Sequence, residues 1–316
     1  MEFKAMRDVL IDHITDQMET DKKVFFVSAD FGSPALDRLR QNFEDRFINV
    51  GIAEQNLINI SAGLALEGYN VYSYAIAPFL TMRAYEQIRI HLSILSQRRP
   101  MNVNLIGVGC GLSYDVTGPT HHCFEDLSVI NTLPNIEIFS PCDKELTKRV
   151  VEYSSKVVRP KYFRLDGKNL PDIYHSFPDV KIEDSFFELI QGKDVCIVST
   201  GYMTHKAISI ATELKKQNIS AGVIDLFLLK PLKEGKLHDK LSNYKCVISL
   251  EEGFINKGGL DTIISCLLRK NRSRLPFKGF GFGDSYIFEV GGREYLHGLV
   301  GLDIPTIQKE IVNLLA

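Results

Sequence analysis

Glu54 stands three residues after Gly51 in the stretch Asn49-Val50-Gly51-Ile52-Ala53-Glu54-Gln55-Asn56, where a strand-like ending passes through one glycine into a helical pattern. A carboxylate so placed has two uses. It can cap the helix, because free backbone N–H groups and the helix dipole favour an acid in the first turn, or it can serve as a general acid or base. A second stretch, Pro78-Phe79-Leu80-Thr81-Met82-Arg83-Ala84-Tyr85-Glu86-Gln87, sets Phe79, Met82 and Tyr85 at i, i+3 and i+6 on one flank of a helix. Such a stripe is ordinarily core packing; its other use is an apolar slot for a flat ring. The third stretch runs from Gly109 to Leu127 and contains Thr117-Gly118-Pro119-Thr120-His121-His122-Cys123. Its glycines and Gly-Pro turn follow a strand pattern, which places His121 at the carboxyl end of a parallel sheet, where open α/β folds bind ligands. Adjacent histidines on a loop do not ordinarily reach one ion together, and no third ligand stands at zinc-like spacing, so no metal site is expected in this chain.

The elements that must position these residues alternate. A helical pattern over residues 5 to 19 leads into the apolar run Val24 to Ala29, and strand-like runs recur at 47–50, 71–75, 103–108, 136–139 and 162–165. Helical stretches near 51–67, 79–97, 124–132 and 143–156 separate most of them. Strands alternating with helices predict a doubly wound α/β sheet. Two prolines and polar residues between Asn169 and Pro178 interrupt this rhythm and mark an interdomain connection. A second, smaller alternating unit follows, with strands at 195–199, 221–225 and 246–250 and helices near 203–216 and 258–269.

The chain has 316 residues, which predicts two domains rather than one, and its net charge of −2 gives no electrostatic reason to expect a nucleic acid or an anionic membrane as partner. Small anionic substrates remain open. No basic-then-apolar leader opens the sequence and no apolar run approaches the ~20 residues that span a bilayer, so a cytoplasmic protein is expected. The 6 cysteines show no CxxC pair. Reduced thiols acting as small hydrophobes are expected, Cys196 and Cys246 inside core strands, and Cys123 sits directly after the candidate histidines.

The three stretches together resemble the transketolase family. Gly51-x-x-Glu54 is similar to the segment whose glutamate, in that family, meets the N1′ nitrogen of thiamine diphosphate. Phe79-Leu80-Thr81-Met82-Arg83-Ala84-Tyr85 resembles the Phe-x-x-Phe-x-x-Tyr that holds the aminopyrimidine ring, with Met82 in place of the second phenylalanine. It is also similar to a Phe-Leu-x-Arg stretch of deoxyxylulose phosphate synthases. Gly118-Pro119-Thr120-His121 matches a Gly-Pro-Thr-His whose histidine faces the substrate channel. Ser28-Ala29-Asp30-Phe31 resembles the segment that lies beside the cofactor at the subunit interface, which implies cofactor contacts for Asp30 and Phe31. Arg7 aligns with a phosphate-binding arginine near the start of the family domain. Two departures concern substrate: Thr117 replaces an aspartate that meets a substrate hydroxyl, and Gly167-Lys168 replaces a second phosphate arginine, leaving Lys168 as a point charge where the family has a bidentate fork. Arg164, in the same segment, reads as a surface ion-pairing residue. Asp225 to Leu232, Glu251-Glu252-Gly253 and Gly258-Gly259-Leu260 resemble structural turns and helix entries of the family's C-terminal domain.

The resemblance implies a thiamine-diphosphate pyrimidine-binding (Pyr) domain at 1–170, a linker at 171–187 and a transketolase C-terminal domain at 188–316, both doubly wound α/β. It implies Glu54 and His121 as catalytic residues. The implied cofactor contacts are Glu54, Phe79, Met82, Tyr85, Asp30 and Phe31, and the substrate contacts are His121, Thr117, Arg7 and Lys168. No Gly-Asp-Gly motif with a downstream asparagine is present, so the resemblance further implies that a separate N-terminal subunit binds the diphosphate and its Mg2+ or Ca2+. The expected protein is then the C-terminal subunit of a split transketolase, an α2β2 heterotetramer of carbohydrate metabolism, moving a two-carbon ketol unit between a ketose and an aldehyde. The substrates would be small sugars or sugar phosphates. The alternatives are a 2-oxoacid dehydrogenase β subunit or a deoxyxylulose-phosphate-synthase-like enzyme and, in a different class, a non-catalytic structural or regulatory partner.

Overall fold

The structure, a computed structural model, describes residues 4–30, 32 and 34–316. Near-continuous apolar runs form the central strands, which are buried on both faces, as parallel sheets require. The strands are Val24–Ser28 (β1), Phe47–Asn49 (β2), Asn70–Ile76 (β3), Asn102–Val108 (β4), Glu137–Phe139 (β5), Lys161–Leu165 (β6), Phe186–Ile190 (β7), Val195–Ser199 (β8), Ala221–Leu226 (β9), Leu228–Lys230 (β10), Cys246–Phe254 (β11) and Phe277–Phe282 (β12). One sheet has the order β10-β5-β6-β4-β3-β1-β2 and the other β12-β11-β8-β9-β7. All pairings are parallel except β10 on β5 and β7 on β9.

Helices cover both faces of the first sheet. Met6–Thr20 and Lys144–Lys156 pack Leu10, Ile14, Leu146 and Val150 into one core, and Glu54–Leu66 with the helical segment 79–97 packs Leu57, Ile58, Leu80 and Ile88 into the other. The register sets Ser28 level with both Asn49 and Tyr74, and Tyr74 level with Ile106. Because the strands are parallel and in step, the segments that follow β1, β2, β3, β4 and β6 emerge along one edge. Asp30, Gly51, Phe79, Gly109 and Asp166 all stand on that edge.

The two sheets share material. Leu228–Lys230, from the second half of the chain, completes the edge of the first sheet, and the Lys230 ammonium donates to the carbonyls of Asn131 (3.0 Å) and Leu133 (2.6 Å). Leu229, Leu237 and Leu241 then join Leu127 and Ile130 in one continuous apolar core. Cys196 and Cys246 lie buried in β8 and β11 as free thiols. Among the described residues no helix is long and apolar enough to cross a membrane.

Candidate functional site

Asn49 builds the turn that presents Glu54. Its side-chain oxygen accepts from the backbone N–H of Gly51 (2.9 Å) and of Asp30 (3.2 Å), and its amide donates to Asp30 Oδ1 (2.9 Å). One side chain thus ties the ends of β1 and β2 together and fixes the chain at Gly51, whose φ of 75° lies in the left-handed region that glycine adopts freely. Helix Glu54–Leu66 starts three residues later with no side-chain cap at Ala53. Glu54 is 3 % exposed, and Arg83 Nη1 donates to its Oε2 at 2.5 Å. The carboxylate faces across the edge of the sheet rather than back to its own helix N-terminus.

The segment after β3 differs from a regular α-helix. Phe79–Arg83 and Ile88–Ile94 are π-helical, with wider i→i+5 turns. The i, i+3, i+6 stripe expected for Phe79, Met82 and Tyr85 therefore does not form a single wall. Met82 is 43 % exposed, and the Tyr85 hydroxyl is 2.7 Å from Thr132 Oγ1. The Phe79 ring meets that of His121 edge-on at 5.4 Å, and the Arg83 guanidinium lies 4.9 Å over it. Glu54, Arg83, Phe79 and His121 form an unbroken row.

His121 sits on the loop after β4, its Nδ1 3.0 Å from Thr120 Oγ1, and Thr117 is exposed in the same loop. His122 turns inward: its Nε2 donates to the Asp115 carbonyl (3.3 Å), and burial lowers its basicity. Among the described residues no group of His, Cys, Asp and Glu could hold a metal ion. Cys123 is fully buried, and burial pushes its thiol well above the ordinary range, so it offers no nucleophile.

Two residues expected to meet substrate have partners within the chain. Lys168 is paired with Asp115 and is not a free cation. Burial opposes ionisation of Asp115, yet that ammonium and the backbone N–H groups of Arg293 and Val116 hold its carboxyl below the usual range. Arg7, half-buried, donates through Nε to Asp8 Oδ1 (2.8 Å) and acts electrostatically on Tyr74 and Tyr114. Arg164 corrects the surface reading. It is 5 % exposed, its Nε reaches both oxygens of Asp126 (3.0 and 2.9 Å), and its Nη2 donates to the Glu252 carbonyl (2.9 Å). Burial comes from the second sheet, which no local pattern around Arg164 announces. Asp30 is exposed with Asn49 as its partner, and Phe31 lies outside the described residues. Sequence reasoning missed Asn49 and Arg83. The first was signalled by a polar residue ending a strand before a glycine, the second only by its place in the Phe-Leu-x-Met-Arg stretch.

Two parallel-dominated α/β sheets in series, with a buried carboxylate and an aromatic ring on the carboxyl edge of the first, are the arrangement of a transketolase-type transferase. The chain belongs to the transketolase family: the family model "Transketolase, pyrimidine binding domain" matches residues 3–172 and "Transketolase, C-terminal domain" matches 188–303. It is 29 % identical to one of the subunits of apulose-4-phosphate transketolase from Actinobacillus succinogenes, over 96 % of each chain. It is 30 % identical to 1-deoxy-D-xylulose-5-phosphate synthase of Aquifex aeolicus, over 94 % of this chain and 46 % of that enzyme. A split gene transketolase solved as an inactive β4 tetramer superposes with a TM-score of 0.85 at 28 % identity, covering 99 % of both chains. This chain is the C-terminal half of a transketolase in the form that split enzymes carry separately.

Family membership implies thiamine diphosphate, and the row of residues fits one end of it. The buried Glu54 carboxylate offers an acceptor for a protonated ring nitrogen, and the half-buried Phe79 offers a flat apolar wall. The described residues supply no acidic cluster for a divalent ion at the other end.

Proposed function

We propose that this chain is the pyrimidine-binding subunit of a split thiamine-diphosphate-dependent transketolase and works only when an N-terminal-type subunit supplies the diphosphate and Mg2+ or Ca2+ site, as an α2β2 assembly. The observation that carries the reading is the row Glu54–Arg83–Phe79–His121 on the carboxyl edge of the first sheet. Glu54 holds a proton at the aminopyrimidine ring nitrogen, Phe79 orients the ring and excludes water from that contact, and His121 meets substrate. The cofactor itself supplies the electron sink that ketol transfer needs. Met82 and Tyr85 flank the slot, and Asp30 acts through Asn49 on the Gly51 turn.

The substrate is proposed to be a sugar or sugar derivative other than the ordinary pentose phosphates. Thr117 supplies no charge, Gly167 no side chain, and Lys168 is held by Asp115. A lost charge-assisted phosphate contact weakens binding by roughly one to two orders of magnitude. A relative named for apulose 4-phosphate is compatible with an uncommon ketose.

Purified chain, alone and with its diphosphate-binding partner, is titrated calorimetrically with thiamine diphosphate and magnesium. Tight stoichiometric binding and ketol transfer by the chain alone would overturn the split-site reading. In the assembled enzyme, Glu54→Gln is expected to slow deuterium exchange at the cofactor C2 by about 10²-fold or more; a wild-type exchange rate would make Glu54 a structural acid. A kcat/KM for xylulose 5-phosphate with ribose 5-phosphate at or above ~10⁴ M⁻¹s⁻¹ would refute the substrate reading.

A further inference from the structure

The loop that presents Thr117 and His121 leaves the first sheet but is seated on the second. Near its start the Leu112 N–H donates to Glu252 Oε2 (3.0 Å), and Asp115 Oδ2 accepts the backbone N–H of Arg293 (2.7 Å). Gly111 lets the loop come this close: its φ is 59°, and an added Cβ would lie 2.1 Å from Glu252 Oε2. At the far end the Phe124 ring stacks on Phe282 with centroids 3.9 Å apart. Between these anchors Val116, Thr117 and Thr120 are exposed. The anchors set where the tip can stand.

Glu252 is the centre of the seat. It is 3 % exposed, and its other oxygen faces His297 Nε2 (2.7 Å) and Arg293 Nε (3.0 Å). Arg293 Nη2 continues to Asp166 Oδ2 (2.5 Å) at the end of β6, and Asp166 Oδ1 accepts from Ser113 of the same loop (3.1 Å). Burial opposes the Glu252 charge, but Arg293, His297 and the Leu112 N–H hold its carboxyl down, at about 2. Each side-chain partner of this carboxylate is a donor.

We infer that Glu252 is a positioning residue for ketol transfer: through Leu112, and braced by Arg293, it fixes the loop on which His121 meets substrate. The second sheet thereby sets the substrate side of the site, while Asn49 and Phe79, on the first, set the cofactor side. The inference rests on the reading of His121 as a substrate contact.

Glu252→Gln tests it, because the amide must turn its NH2 toward a donor whichever way it lies. The variant is assembled with the diphosphate-binding subunit and assayed with hydroxypyruvate as ketol donor. Misplacement of a contact by about an ångström lowers kcat/KM by as much as roughly 10²-fold, so a fall of about 10- to 100-fold is expected. Cofactor affinity and C2 proton exchange should stay within about twofold, since Glu54 and Phe79 are untouched. Hydrogen exchange on the isolated chain should show faster exchange of the Leu112 amide. With His121→Ala already present, Glu252→Gln should cost less than about threefold, because residues acting as one unit are not additive. An equal cost in both backgrounds, or a parallel loss of cofactor affinity and turnover, overturns the positioning role. Failure of the His121 reading has its own signature, a His121→Ala enzyme with unchanged kinetics for the donor. Should Glu252→Gln not fold, Gly111→Ala lifts the loop from the same seat without altering the charges, and the same split between donor kinetics and cofactor affinity is required of it.

Discussion

Arg83→Met should have opposite effects on the free subunit and on cofactor binding. In the structure the Arg83 guanidinium donates to Glu54 Oε2 at 2.5 Å and lies 4.9 Å over the Phe79 ring. Arg83 thus sits on both groups that the proposed pyrimidine site would use, so the guanidinium would have to leave for a ring bound there. A charge-assisted hydrogen bond contributes about 1.5–3 kcal/mol and an exposed cation–π contact about 0.5–1 kcal/mol. The Arg83 side chain is 46 % exposed, so water recovers much of this on displacement. A net displacement cost of about 1–2 kcal/mol remains, equivalent to roughly 5- to 30-fold in cofactor affinity. Methionine keeps the apolar stem and removes the charge. Titration of the assembled apoenzyme with thiamine diphosphate should therefore give tighter binding by that factor. The isolated subunit should melt a few degrees lower, because an unpaired buried carboxylate costs about 1–3 kcal/mol. If cofactor affinity falls together with Tm, Arg83 holds the pyrimidine rather than standing in its place, and the reasoning is wrong.

Asp225, fully buried between Thr204 and Tyr174, has its carboxyl pushed up to about 7 by burial. A raised carboxyl leaves stability intact below the unfolded value near 4 and erodes it by about 1.4 kcal/mol per pH unit up to about 7, after which the loss is constant. Asp225→Asn should flatten Tm between pH 4 and 7 and raise it at pH 8; an unchanged pH profile would refute the assignment. Asn49→Ala removes three hydrogen bonds around the Gly51 turn and should lower both Tm and cofactor affinity, with donor KM unchanged in the loaded enzyme. Lys168→Met should alter KM for phosphorylated donors by less than about threefold, because Asp115 holds its ammonium; a loss of about tenfold or more would return Lys168 to the substrate site.

Continuous apolar runs were legible because a parallel strand buried on both faces has no polar side to interrupt it. Val195–Ser199 and Asn102–Val108 stand where those runs predict. Phe277–Phe282 was not legible: one lysine and two glycines among three phenylalanines give no apolar run, and its strand conformation comes from pairing with β11. Helix Ile304–Leu315 carried its signals, an Asp303 side chain accepting from the Thr306 N–H and a proline in the first turn, which strand–helix alternation alone overlooks. The wide turns at Phe79–Arg83 leave no trace in residue pattern, since hydrophobic spacing reports which faces are buried and not which carbonyl each N–H chooses. For the same reason the motif names Glu54 and Lys168 but not the partners that the fold gives them. Their neighbours, Arg83 and Asp115, decide what each side chain is free to do.

The two halves of the candidate site have different supports, and this orders what substitutions can do. Glu54 depends on Asn49, Gly51 and the ends of β1 and β2, all within the first sheet. His121 stands on a loop whose anchors are Glu252 and Phe282 of the second sheet and Arg293 at the start of the helix Arg293–Leu299. Arg164 joins the supports, with its guanidinium on Asp126 below the loop and on the Glu252 carbonyl beyond it. A buried ion pair of this kind contributes little net stability but penalises any other arrangement, because each partner left alone is a desolvated charge. The network therefore specifies the angle between the sheets more than it strengthens their contact. If the tip meets substrate as proposed, exchanges at the exposed Val116, Thr117 and Thr120 alter that contact while the buried charges beneath hold the loop in place.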